Sequence, residues 1–278
     1  MTMMRERSFR SVWLSDLHLG NADCRALWLL DFLDACTCEQ LYLVGDVLDL
    51  WEMDRRGRWP ATHGRVLAKL IALAAAGTRV VWLPGNHDEA LRAHHGLRFG
   101  GVELLPEAIH ETADGRKLWV VHGDGFDDAA RGGRLTTLIG DHAYDLALFL
   151  NRWSRRLRRL CGLPYRSLAL ELKTRIGPAA RAIGRYERAA AHEAARREVD
   201  GIVCGHIHKP ELRTIDGTLY ANCGDWIESC TALVEHADGR LQVLHWADEA
   251  RVTHVDVLDF PRAAAAVPAA AAMAGRLG

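Results

Sequence analysis

The chain has 278 residues, of which 49% are hydrophobic and 26% are charged, and its formal net charge is −1 at pH 7. This length can bury a sizeable core, either as one large α/β domain with an insertion or as two smaller domains. Because the net charge is close to zero, no global electrostatic field favours nucleic acid, and we expect no nucleic-acid partner.

The N-terminal segment predicts no signal peptide, because Asp16 interrupts its apolar run after a few positions. The sequence also has no run of ~18 apolar residues that could span a bilayer. Its seven cysteines are an odd number scattered among apolar segments, and Cys36 and Cys38 lack a second pair that would complete a zinc site. We therefore expect a reduced, cytoplasmic protein.

The first part of the chain alternates predicted strands and helices. The strands are expected at 10–15, 41–44 and 79–83, and the helices at 23–36 and 63–76, with Gly77 ending the second helix. This alternation predicts a layered α/β fold. The stretch 49–60 is polar and contains two tryptophans, so we expect a loop beside the functional site.

The second part begins with a predicted strand at 118–121 and then becomes helical. Another strand is predicted at 201–204, and short strands follow at 218–223, 229–236 and 240–246. The turns Asp216-Gly217 and Asp238-Gly239 are hairpin signals, so we expect the three short strands to form an antiparallel part of a second sheet. The Ala-rich end of the tail, 251–278, has low complexity, and we expect it to be disordered.

Residues 127–193 are interpreted as an inserted helical cap. Apolar residues recur at helical spacing between Leu135 and Leu160, and Arg and Lys outnumber Glu between Asn151 and Arg188. In one interpretation the leucine stripe packs on the domain and the arginines form a solvated face. In the other, the cap covers the functional site, with its apolar side against lipid and its basic side against phosphate or an anionic membrane.

Five apolar runs stop where metal-binding types of side chain begin. In open α/β sheets, ligands collect just past the carboxyl ends of the strands, so these five ends should converge on one site. The residues at these ends are Asp16, His18, Asp46, Asn86, His87, Asp88, His122, His206 and His208. We interpret the site as two metal ions that share Asp46.

Residues two apart in an extended strand share a face, so Asp16 and His18 can bind one ion together, and His206 and His208 have the same spacing. A single pair of this kind is structural more often than it is a ligand. Five such strand ends in one chain, however, are hard to produce by accident. Carboxylate, imidazole and amide oxygen ligands together suit Mn²⁺, Fe or Zn²⁺.

The motifs are, in order, Asp16-Leu17-His18, Gly45-Asp46-Val47-Leu48-Asp49, Gly85-Asn86-His87-Asp88, His122 and Gly205-His206-Ile207-His208. In this order they resemble the calcineurin-like metallophosphoesterase superfamily. The resemblance implies an α/β fold, a four-layer αββα sandwich of two mixed β-sheets with an inserted helical cap. The catalytic domain would then comprise 1–126 and 194–250, with the cap at 127–193 and a tail at 251–278.

The resemblance also implies the ligands. One metal ion would be held by Asp16, His18, Asp46 and His208, and the other by Asp46, Asn86, His122 and His206. Mn²⁺ is the expected metal, with Fe or Zn²⁺ as alternatives.

His87 lies outside both implied ligand sets. We expect it to protonate the leaving oxygen or to stabilise the transition state, with Asp88 orienting its ring. Asp49 and Trp51 either shape the wall of the site or simply pack within the loop. The sequence identifies no substrate-binding residues.

Within the superfamily, SDLHLG, GD-x-x-D-x-W, HGD and the helical insertion before GHIHKP resemble the UDP-2,3-diacylglucosamine hydrolases and their paralogues in lipid A biosynthesis. This implies hydrolysis of a lipid-linked nucleotide sugar to UMP and 2,3-diacylglucosamine 1-phosphate, on the cytoplasmic face of the inner membrane. The best-known branch has arginine in place of His87, so a phosphatase or phosphodiesterase for a soluble phosphoester is the alternative. A non-catalytic scaffold is a third hypothesis, which the presence of all seven ligands opposes.

Overall fold

In the computed structural model, which describes residues 7–130 and 177–246, two β-sheets pack face to face between helices. The strands are β1 (Arg7–Leu14), β2 (Cys36–Val44), β3 (Arg79–Leu83), β4 (Arg98–Phe99), β5 (Val102–Leu104), β6 (Ala108–Glu111), β7 (Lys117–Val120), β8 (Gly201–Cys204), β9 (Glu211–Ile215), β10 (Thr218–Asn222), β11 (Thr231–Glu235) and β12 (Leu241–His245). The α-helices are α1 (Ala26–Ala35), α2 (Leu50–Arg56), α3 (Ala61–Ala75), α4 (Asp127–Ala130) and α5 (Gly177–Arg196), and short 3-10 helices lie at Glu89–His94 and Asp124–Phe126.

Both sheets are mixed. The first has the strand order β12-β11-β1-β2-β3-β5-β4, in which β1, β2, β3 and β5 run parallel and β4, β11 and β12 pair antiparallel. The second has the order β6-β7-β8-β10-β9, in which β7, β8 and β10 run parallel. The carboxyl ends of β1, β2 and β3 therefore meet at one edge of the first sheet, and those of β7 and β8 at one edge of the second.

The alternation of side chains along each strand builds the layers. In β1, Trp13 is fully buried between the two sheets, while its neighbours Val12 and Leu14 belong to the core under the outer helices. Each such side chain contributes roughly 1.5–3 kcal/mol when it is removed from water. Helix α5 covers the outer face of the second sheet, where Tyr186 packs in the same cluster as Tyr220. The predicted four-layer αββα fold is confirmed.

Two expectations about secondary structure are wrong. The stretch 49–60 contains helix α2, because Asp49 accepts a hydrogen bond from the N–H of Glu52 at 2.9 Å and Gly57, at φ 58°, ends the helix. The last three strands also do not share the second sheet. Strand β10 lies there, parallel to β8, whereas β11 and β12 lie in the first sheet, with β11 antiparallel to β1.

The reason is that the chain passes from one sheet to the other between β10 and β11. On the way, the N–H of Trp226 donates to the backbone oxygen of Asp16 at 3.0 Å, which fastens this crossing to the loop after β1. The two hairpin turns are confirmed, since β9 pairs with β10 across Asp216-Gly217 and β11 with β12 across Asp238-Gly239.

Most of the predicted cap, residues 131–176, lies outside the described residues, as does the whole predicted tail, 251–278. Helix α5 begins next to the expected start at Pro178 and continues through Glu193 to Arg196. Its packing on the second sheet makes it the fourth layer of the sandwich, and the domain boundaries remain predictions. None of the helices in residues 7–130 and 177–246 has the length and apolar composition needed to cross a membrane.

Candidate metal centre

All seven predicted ligands lie just past the ends of buried strands. Asp16 and His18 follow β1, Asp46 follows β2 and Asn86 follows β3, while His122 follows β7 and the pair His206 and His208 follows β8. The edges of the two sheets that carry these loops face each other, so the structure brings the predicted residues together. The distances divide them into two groups.

The first group surrounds His208. Its Nε2 lies 3.1 Å from Oδ1 of Asp16 and 3.2 Å from Nε2 of His18, and the same nitrogen of His18 lies 3.9 Å from Oδ2 of Asp46. Asp16, His18 and His208 each offer one ligand atom, and these atoms lie within 4.8 Å of one another. A single cation could contact all three.

The second group surrounds His122. Its Nε2 lies 3.4 Å from Oδ2 of Asp46 and 3.2 Å from Oδ1 of Asn86. Ligand atoms of Asp46, His122 and His206 also lie within 4.8 Å of one another. Asp46 therefore stands between the two groups, with Oδ2 facing a histidine of each.

The local chemistry fits divalent cations. Oδ1 of Asp16 is buried and has no hydrogen-bond partner among the described residues, although His208 is close. Nδ1 of His122 contacts the backbone oxygen of Val44 at 2.9 Å, an arrangement that leaves Nε2 for a metal ion. Carboxylate, imidazole and amide oxygen ligands are those that Mn²⁺, Fe and Zn²⁺ accept in proteins.

The electrostatics agree with this fit. Burial raises the pKa of Asp46, but the charge and hydrogen bond of His122 outweigh this effect, and the pKa falls to about 2. Burial lowers the pKa of His122, and the charge of Asp46 more than reverses this, to about 10. Asp46 is therefore ionised at neutral pH, and the negative field that holds a proton on His122 would also attract a dication.

Five of the seven predicted ligands have left-handed backbone conformations. The φ angles are 53° at Asp16, 49° at His18, 52° at Asp46, 68° at His206 and 54° at His208. Residues other than glycine seldom adopt this region, and it concentrates at functional sites. The tight turns direct these side chains across the gap between the sheets.

Asp88 does not orient the ring of His87, and that expectation is wrong. Its buried carboxylate accepts hydrogen bonds from the N–H groups of Gly85 at 2.6 Å and Val47 at 3.0 Å, and from the indole of Trp82 at 3.1 Å. These bonds tie the loop after β3 to the loop after β2. Asp88 therefore shapes the backbone around Asp46.

Asp49 holds His87 instead. Its Oδ1 lies 3.0 Å from Nδ1 of His87, and its Oδ2 lies 3.3 Å from Nδ1 of His18. Burial lowers the pKa of His87, the hydrogen bond to the Asp49 carboxylate raises it, and the net direction is upward. The ring of Trp51 lies 4.1 Å from that of His87, centroid to centroid. Of the two interpretations of Asp49 and Trp51, the structure favours a part in the wall of the site.

Asp127 is a site residue that the sequence interpretation missed. Its Oδ1 lies 2.7 Å from Nε2 of His206. The signal was present, because Asp127 follows His122 by only five residues in the same acidic stretch, HGDGFDD.

Comparisons with known proteins agree with this geometry. The family model described as calcineurin-like phosphoesterase matches residues 9–210. The UDP-2,3-diacylglucosamine hydrolase of Xanthomonas campestris pv. campestris (strain ATCC 33913) is 28% identical over 82% of this chain and 96% of its own length. The protein of the same name from Serratia proteamaculans is 26% identical over 74% of this chain and 84% of its own.

A solved structure, the hypothetical protein PH1004 from Pyrococcus horikoshii OT3, aligns with 86% of this chain and 87% of its own length at 11% identity and a TM-score of 0.45. The family model, by contrast, covers well over half of the chain and includes all seven predicted ligands. The chain therefore belongs to the calcineurin-like phosphoesterase family and is a hydrolase of phosphoester bonds.

Proposed function

We propose that the protein is a two-metal hydrolase that cleaves UDP-2,3-diacylglucosamine to UMP and 2,3-diacylglucosamine 1-phosphate. The observation that carries the two-metal site is the position of Asp46 between two groups of ligand-type side chains. The substrate is supported by the names of the relatives from Xanthomonas and Serratia, which this chain matches over most of their length.

Bound in the two groups, a pair of dications would supply an activated water and would neutralise the charge that develops on the phosphoryl oxygens. We propose Mn²⁺ for both positions, held by Asp16, His18, Asp46 and His208 on one side and by Asp46, Asn86, His122 and His206 on the other. The protein then needs no covalent nucleophile, and its remaining task is to stabilise the leaving oxygen.

The position of His87 supports a role in that task. Its Nδ1 faces Asp49, so Nε2 is the nitrogen left for the substrate, 4.0 Å from Oδ2 of Asp46. The side chain is 24% exposed, which lets a substrate reach it beside the metal positions. We propose that Nε2 donates a proton or a hydrogen bond to the leaving oxygen.

The cap interpretation completes the proposal for a lipid-linked substrate. The apolar stripe between Leu135 and Leu160 would meet the acyl chains, and the arginines of 151–188 would meet an anionic membrane at its cytoplasmic face.

Hydrolysis by the purified protein of a panel of phosphoesters tests the proposal. The panel contains UDP-2,3-diacylglucosamine, a nucleotide sugar without acyl chains and a small aryl phosphodiester, each measured before and after removal of metals with a chelator. We expect chelation to abolish activity and Mn²⁺ to restore it best, with the acylated substrate preferred. Full activity after exhaustive chelation would contradict the metal site, and preference for a soluble phosphoester would replace the proposed substrate.

A further inference from the structure

His87 is held from several directions by the first turn of α2. Asp49, the residue just before this helix, contacts Nδ1 of the imidazole at 3.0 Å. The N–H of Leu50 donates to the backbone oxygen of His87 at 3.2 Å. The ring of His18 stands edge-on to the imidazole, with centroids 4.6 Å apart and an interplanar angle of 90°.

Trp51 is the next residue in this turn, and its indole lies over the imidazole. The two centroids are 4.1 Å apart, and the planes are inclined by 35°. Although it makes this contact, Trp51 remains 48% exposed, so its outer part faces solvent rather than the core. Among the described residues, Trp51 belongs to none of the apolar core clusters, and its ring contact is with His87.

The covalent bond to Cβ and one hydrogen bond at Nδ1 still allow the plane of an imidazole to tilt. The ring of His18 stands perpendicular to the imidazole and the indole of Trp51 lies over its face, so both confine His87 in directions that Asp49 does not control. This confinement matters, because a misplacement of about 1 Å at a reacting group can cost on the order of 100-fold in rate.

We propose that Trp51 is a positioning residue that keeps Nε2 of His87 aimed at the leaving oxygen. The inference rests on the role proposed for His87 above. Trp51 acts through His87 and need not touch the substrate.

Trp59 provides a matched control. It is another exposed tryptophan, at 38%, and lies only eight residues further along the chain. Its ring packs edge-on against His63, with centroids 5.8 Å apart, and no described contact joins it to His87.

The test is a double-mutant cycle on the Mn²⁺-loaded enzyme with Trp51→Ala, His87→Asn and the two combined. The substrates are bis(p-nitrophenyl) phosphate, whose leaving group departs easily, and diphenyl phosphate, whose leaving group needs more help. We expect Trp51→Ala to lower kcat ~10-fold on diphenyl phosphate and by a smaller factor on the nitrophenyl ester. When His87 is already Asn, Trp51→Ala should lower kcat by less than about 2-fold. KM and bound metal should stay close to those of the wild type.

Trp51→Phe should restore most of kcat, because phenylalanine still covers the ring, and Trp59→Ala should leave kcat unchanged. An equal effect of Trp51→Ala with and without His87, or an effect confined to KM, would overturn the inference. If His87→Asn lowers kcat and Trp51→Ala does not, the role of His87 stands and only the inference about Trp51 falls.

A crystal structure tests the role of Trp51 without turnover, even if both diesters prove to be poor substrates. In a crystal structure of Trp51→Ala, we expect the imidazole of His87 to adopt a different orientation or more than one orientation. An imidazole that stays in place would overturn the inference, whatever the substrate of the wild type.

Discussion

Nδ1 of His87 lies 3.0 Å from the carboxylate of Asp49, a residue 38 positions earlier in the chain. The neighbour of His87 in sequence, Asp88, is instead occupied with backbone N–H groups of two loops. The two carboxylates therefore have separable tasks, which substitution can distinguish.

We expect Asp49→Asn to lower kcat by about 10-fold or more while the fold is retained, because the charge that holds His87 is lost. Asp88→Ala should instead destabilise the protein by about 3 kcal/mol or more, since several buried N–H groups lose a charged acceptor. Kinetics and chemical denaturation of both variants check the assignment. An Asp88→Ala protein of normal stability would contradict it.

Substitution should also separate the bridging ligand from the proton donor. Asp46→Ala should lose both metal ions, because its carboxylate lies between the two groups. His87→Ala should keep both ions and still lose on the order of 100-fold in kcat. Metal analysis of the two purified variants decides this, and loss of metal from His87→Ala would show that His87 is a ligand.

His63 should make the stability of the protein sensitive to acid. It is buried, its Nδ1 accepts a hydrogen bond from the N–H of Gly20 at 2.8 Å, and burial lowers its pKa to about 4. In the unfolded chain its pKa is near 6.5. As pH falls, the unfolded state therefore binds a proton before the folded state does. The contribution of neutral His63 to the free energy of unfolding is complete above about pH 6.5 and is lost as pH falls towards 4.

We expect His63→Gln, whose side-chain oxygen can accept the same hydrogen bond, to reduce the fall in Tm between pH 7 and pH 5. The comparison of the two proteins at each pH cancels the contributions of the other histidines. His192→Gln, on the exposed face of α5, should leave Tm at pH 7 unchanged. Parallel Tm curves for His63→Gln and the wild type would contradict the prediction.

Phe149 and Trp153, which lie outside the described residues, test the lipid interpretation of the cap. If their apolar face meets acyl chains, Phe149→Ala or Trp153→Ala should raise KM for the acylated substrate several-fold, since each buried CH₂ contributes ~0.8 kcal/mol. The rate on a small phosphodiester should hardly change. Equal losses on both substrates, with a lower Tm, would favour a merely structural stripe.

The sequence was sufficient to predict which residues converge. Each of the seven predicted ligands follows a buried strand, and parallel strands carry their carboxyl ends to a common edge, so the site follows from the strand pattern. Helix α2 was missed because its 7 residues are too few to show an apolar stripe at helical spacing. Its capping residues, Asp49 and Gly57, were nevertheless visible in the sequence.

Partners that are distant in sequence could not be predicted in the same way. Asp88 stands next to His87 in the chain, and sequence proximity favours that pair, but the direction of a side chain depends on the turn that carries it. The turn after β3 directs Asp88 towards Val47 and Trp82, which leaves His87 to Asp49. The path of the chain between β10 and β11 likewise depends on contacts with the loop after β1.

Left-handed turns lower the stability of the folded protein at residues that catalysis requires. These residues are Asp16, His18, Asp46, His206 and His208. Each such residue is strained by roughly 1–2 kcal/mol, and the packed sheets must offset the sum. Glycine would adopt the same conformation without that strain. Laboratory evolution that rewarded heat resistance alone would therefore favour glycine at these five positions, and would yield a hardier protein that no longer binds metal or turns over substrate.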